Sequence, residues 1–160
     1  MNRPFRTLAL LAGLLCLWAA AAHADEPLVG RWQMISLKVD GQAAKPMPVA
    51  IRIRQAGPTT LTFTYVSGRE EKVNMTFTVA LDGNWAPIED IAGARIGAAK
   101  LTRSGGKYNL VLQSAGKPPE PGTMVLSERN QILTCAVGSE GADKSMSTPR
   151  IVQVFSRDSQ

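Results

Sequence analysis

Apolar and polar residues alternate one by one through most of this chain. Val49-Ala50-Ile51-Arg52-Ile53-Arg54 sets aliphatics against arginines, and Thr60-Leu61-Thr62-Phe63-Thr64-Tyr65 sets large side chains against threonines. Lys72-Val73-Asn74-Met75-Thr76-Phe77-Thr78-Val79 is the longest such run. Successive side chains of an extended strand point to opposite faces, so each run has one dry and one wet face. Threonine suits the wet face because β-branching favours the extended backbone. Shorter runs over residues 94–102, 107–114, 123–127, 131–137 and 150–156 predict further strands. With the run that opens at Gly30, nine strand-like segments result.

Turn chemistry separates them. Ser67-Gly68, Asp82-Gly83-Asn84, Ser104-Gly105-Gly106 and Glu128-Arg129-Asn130 supply residues that accept positive φ. The proline-rich residues 117–122 are expected to be an extended connector unable to join a ladder, and residues 138–149 a polar loop. No stretch has the i, i+3, i+4 spacing of a substantial amphipathic helix. Short connections favour antiparallel pairing of neighbours. A one-sided apolar pattern repeated strand after strand favours closure over a flat sheet. The expected fold is all-β: a single antiparallel up-and-down β-barrel of eight or nine strands.

The first residues break the pattern. Arg3 and Arg6 precede an uncharged apolar run at 8–22, and Ala22-His23-Ala24 then offers a small-x-small cleavage pattern. At 15 residues the run falls short of the roughly 20 that a spanning helix requires. Residues 1–24 are therefore expected to be a secretory signal peptide, and residues 25–160 one exported domain of the periplasm or the extracellular space. No stable membrane anchor is expected after cleavage. Loss of Arg3 and Arg6 leaves 16 of the 18 basic residues against 13 acidic ones, a net charge of +3. That excess is scattered and not interleaved with aromatics, which argues against nucleic-acid binding.

Processing also removes His23, the chain's one histidine, and Cys16. Histidine-ligated zinc or haem, Ser-His-Asp and Cys-His chemistry are then closed to the mature chain. Cys135 has no thiol left to pair with, so no disulfide is expected, and with no basic neighbour it reads as an inert core thiol.

Gly30-Arg31-Trp32 at the start of the first strand resembles the Gly-x-Trp motif of the lipocalin superfamily. Leu37-Lys38-Val39-Asp40-Gly41 and Ile132-Leu133-Thr134-Cys135 extend the likeness to small secreted bacterial lipocalin-like proteins of largely unassigned function. The resemblance implies that Trp32 closes one end of the barrel with Arg157, from the last strand, packed across it. It departs from larger lipocalins in lacking their Thr-Asp-Tyr signature and long helix. The short segment between the first two strands also leaves no room for the helical lid of fatty-acid-binding proteins.

The dry faces nominate Ile51, Ile53, Phe63, Tyr65, Met75, Phe77, Leu110 and Leu112 as a barrel interior. These side chains either line a cavity for a small apolar ligand or fill the interior solidly. Methionine's adaptability and the tyrosine hydroxyl lean toward a cavity, with Tyr65 as its polar anchor. Trp85, in a predicted loop, is a candidate contact residue or a staple holding that loop down. Glu70-Glu71 diverge at a hairpin end, and Glu89-Asp90 in a loop make a poor cation site. No metal site, cofactor or catalytic cluster is expected. The favoured reading is a non-enzymatic binding protein holding a small hydrophobic ligand. Its rivals are an envelope interaction protein with a solid core and working loops (Trp85, 117–122, 138–149), and a small lyase or isomerase using carboxylates or Tyr65.

Overall fold

Each of the nine alternating runs forms a strand. The computed structural model describes residues 26–127, 129–139 and 149–158, so the expected signal peptide and residues 140–148 of the polar loop lie outside the described residues. Eleven strands follow in chain order: β1 (Gly30–Val39), β2 (Gln42–Ala44), β3 (Val49–Gly57), β4 (Thr60–Ser67), β5 (Lys72–Ala80), β6 (Ala86–Asp90), β7 (Arg95–Ser104), β8 (Lys107–Ser114), β9 (Glu120–Leu126), β10 (Ile132–Ser139) and β11 (Pro149–Arg157). Successive strands pair antiparallel from β3 to β11. β1 pairs with both β3 and β11, which closes the sheet into an up-and-down barrel of ten strands. β2 pairs only with β1 and lies outside the ring.

The count exceeds the eight or nine expected because two strands lack an alternating signature. β2 is three residues folded back by the Asp40-Gly41 turn, where both residues have positive φ. β6 carries Pro87 and the acids Glu89 and Asp90, and only Ile88 in it is buried. Glu89-Asp90 thus lie in a strand and not in a loop. Residues 117–122 also differ from expectation, because Glu120, Pro121 and Gly122 pair with Leu112, Val111 and Leu110. Pro121 is tolerated because it sits where β9 begins, before β10 runs alongside, so its missing N–H costs no ladder bond on that flank.

Directly opposed residues of antiparallel strands share a face, so the register carries the dry face around the ring. Ile51 stands opposite Tyr65 and Ile53 opposite Phe63. Phe63 in turn faces Phe77, and Tyr65 faces Met75. Across the barrel, Leu133 stands between Leu126 and Phe155. The interior holds Trp32, Ile51, Ile53, Leu61, Phe63, Leu101, Tyr108, Leu133 and Phe155, all nearly inaccessible. Each such large apolar side chain contributes roughly 1.5–3 kcal/mol by leaving water. On the outside, Arg31 and Arg52 stand opposite one another, and both pair with Glu71; Arg31 also pairs with Asp158. The arginine face is a wet face balanced by its own acids.

Candidate functional site

One end of the barrel is shut by the residues that lead into β1. Leu28 is fully buried, and its carbonyl accepts a 2.8 Å hydrogen bond from Trp32 Nε1. The Arg157 guanidinium lies 4.4 Å from the Trp32 ring centroid. Arg157 Nη1 donates to the Val29 carbonyl at 2.8 Å, Nη2 to that of Pro27 at 2.5 Å, and Nε to that of Asn130 at 2.8 Å. Gly30 has φ +150, and a Cβ there would lie 3.0 Å from Arg157 Nη1. The glycine of Gly-x-Trp is therefore what lets the guanidinium reach the backbone.

A second contact seals the same end. Glu26 is buried, and its carboxylate accepts from the Tyr108 hydroxyl and, at 3.1 Å, from Arg103 Nη1. Burial raises the Tyr108 pKa, and the Glu26 carboxylate adds to the effect. The alternation in 107–114 places Tyr108 on the inner face, but no sequence signal pairs it with Glu26.

The eight nominated interior residues all belong to the core cluster or pack against it. They divide into two groups. Ile51, Ile53, Phe63, Phe77 and Leu110 are tightly packed, whereas Tyr65, Met75 and Leu112 keep accessible surface. Phe63 and Phe77 stack with centroids 4.9 Å apart and planes 6° apart, and Tyr65 continues the stack 6.3 Å from Phe77. Such aromatic pairs add roughly 0.5–1.5 kcal/mol beyond burial.

Tyr65 stands out on this wall. Its register places it on the inner face, opposite Ile51 and Met75, and it is only half-buried. Its hydroxyl makes no hydrogen bond among the described residues, and it is not an occluded orphan either. Burial raises its pKa, with a smaller contribution from Cys135 on the opposite side of the barrel. Cys135 itself is pushed up to about 12 by burial, as a core thiol should be.

A third polar group joins them. Gln153 stands opposite Cys135 on β10 and Leu37 on β1, both buried members of the core, and between Ile151 and Phe155 on its own strand. It therefore faces inward, and its amide makes no hydrogen bond among the described residues. The site residues nominated from sequence omitted it. Its signal was the single polar break in the inner face of Arg150-Ile151-Val152-Gln153-Val154-Phe155.

Trp85 immediately precedes β6, 45% exposed, with Lys100 Nζ 5.1 Å from its ring. It lies on the outer surface, separate from the inner wall. Asp90 is spent on its own turn, accepting from the amides of Ala92 and Ala94. A surface groove near the β8–β9 turn, lined by Arg95, Gly97, Gln113 and Gly116, shares no residue with the wall. Among the described residues, no group of three or more Cys, Asp or Glu is placed to hold a metal ion.

No protein-family model matches the sequence, and no curated protein matches it. Solved structures do. The fluorescent protein UnaG is 12% identical with a TM-score of 0.54, covering 82% of this chain and 97% of that one. The zebrafish ileal bile acid-binding protein complexed with cholic acid is 17% identical, TM-score 0.55, covering 83% and 100%. Apo lipid binding protein 8 of Caenorhabditis elegans is 13% identical, TM-score 0.55, covering 82% and 96%. At these identities the likeness is one of fold. This chain folds as an antiparallel up-and-down β-barrel that resembles the lipocalin and fatty-acid-binding-protein fold.

Proposed function

We propose that the protein is an exported, non-enzymatic binding protein that holds a small apolar ligand inside the barrel, against Tyr65, Met75 and Leu112. The observation that carries this reading is that Tyr65, Met75 and Leu112 sit on the inner face yet stay only partly buried, with the Tyr65 hydroxyl making no hydrogen bond among the described residues. That hydroxyl is free to take a ligand or a water as its partner. The stacked Phe63, Phe77 and Tyr65 rings form a rigid apolar floor for such a ligand. Two of the structurally similar proteins are a bile acid-binding and a lipid binding protein, which agrees with this use of the fold. The leader pattern at 1–24 and the likeness to small secreted bacterial lipocalin-like proteins support a periplasmic or secreted setting.

The test is uptake of a neutral hydrophobic dye, N-phenylnaphthylamine, by the chain purified without residues 1–24, alongside mass spectrometry of its organic extract. Dye binding that disappears in Leu112→Trp, which fills the space, is the expected result. A wild-type protein that takes up no dye and yields no extractable lipophile overturns the proposal.

A further inference from the structure

Within that proposed cavity, we infer that the ligand is an uncharged lipophile with one hydrogen-bonding group, and that the barrel discriminates against carboxylates. The inference rests on the binding reading above and on which polar groups the register turns inward. The register turns Tyr65, Cys135 and Gln153 toward the proposed cavity, a hydroxyl, a thiol and an amide, none of them cationic. Tyr65 and Gln153 together offer donors and acceptors that suit an alcohol, ketone, ester or amide.

The described cations on inward registers do not serve this space. Arg157 and Arg103 belong to the shut end, where the first holds three backbone carbonyls and the second holds Glu26. At the other end, Lys72 and Arg95 are exposed on the rim, and Arg95 Nε is turned onto the Gly97 carbonyl. Two acids share that rim: Glu120 stands opposite Leu112, and Asp90 opposite Met75. An ionised carboxylate would leave water for an apolar wall with no counter-charge within it, and that desolvation opposes binding. Burial is also the first cause that keeps the Tyr65 phenol and the Cys135 thiol neutral, so the wall adds no charge of its own.

Competition between matched ligands tests this. Dodecanol, methyl dodecanoate and dodecanoate, identical in chain length, are titrated against bound N-phenylnaphthylamine at a pH where the acid is ionised. The alcohol and the ester are expected to displace the dye at concentrations at least about tenfold lower than dodecanoate. Tyr65→Phe should weaken the alcohol and the ester, and Gln153→Lys should raise dodecanoate affinity by supplying the missing cation. Circular dichroism confirms that both variants keep the barrel. Dodecanoate binding as well as or better than the alcohol in the wild type overturns the inference and leaves the cavity intact. Failure of the dye itself to bind brings down the cavity and the inference together.

Discussion

Arg157 covers the face of Trp32 and at the same time holds the carbonyls of Pro27, Val29 and Asn130. One side chain therefore ties the entry segment, the first strand, the last strand and the β9–β10 turn together. Replacing it removes the donor from three backbone carbonyls and uncovers an indole. Arg157→Ala is expected to lower stability by about 2–3 kcal/mol, seen as an earlier urea midpoint with an unchanged slope. Wild-type stability in this variant would show that the contact is ornamental.

Gly97 lies in β7 opposite Ser114 of β8. A Cβ there would stand 2.4 Å from the Gln113 carbonyl oxygen, a backbone atom that cannot swing away. Gly97→Ala should cost about 2–4 kcal/mol. Gly106, in the β7–β8 turn, has open space where a Cβ would go, and Gly106→Ala should change stability by no more than about 0.5 kcal/mol. Thermal melts of the pair separate crowding from a general loss of chain flexibility.

Trp85 and Trp32 differ widely in exposure, 45% against 0%. In a chain lacking residues 1–24, acrylamide should quench the Trp85 emission steeply and leave a blue, protected component from Trp32. Trp85→Ala should remove only the quenchable part. Its cost should stay below about 1 kcal/mol, the worth of a surface cation–π contact with Lys100.

Alkali should destabilise the barrel through its interior acids. An unfolded chain ionises the Cys135 thiol near the ordinary value of 9.0, whereas the folded chain holds it to about 12. Across that window the unfolded state has shed a proton that the folded state retains, so stability falls as pH rises. Tyr65 and Tyr108, both raised above 10.0, act in the same direction at higher pH. Denaturant midpoints measured from neutral pH upward should fall beyond about pH 9, and less steeply in Cys135→Ala. At neutral pH the native thiol should react with a disulfide reagent only as fast as the barrel opens.

The alternating runs were enough to read the barrel, because a period of two states which face is dry without any knowledge of partners. Ile51, Phe63, Phe77 and Leu110 lie inward for that reason. What escaped had no period to show. β6 is five residues with a proline and two acids, and β2 is three residues held by a turn. Glu120 and Pro121 join a ladder because β8 runs beside them, a circumstance that propensity alone does not express. The shut end depends on contacts spanning most of the chain, Glu26 to Tyr108 and Pro27 to Arg157, which local pattern cannot reveal. Gln153 was visible in its strand but reads as a surface residue until the register places Cys135 and Leu37 on either side.

The hydrogen bond from the Asp158 amide to the Arg31 carbonyl, at 3.0 Å, sets the start of β1 and the end of β11 side by side at the shut end. In a chain begun at Glu26 and ended at Asp158, a fused domain at either end would attach at the shut end, opposite the Gly68 turn. A short peptide joining Glu26 to Asp158 would circularise the domain without stretching a strand. New termini cut into the Gly68 turn would then yield a permuted barrel with the same wall.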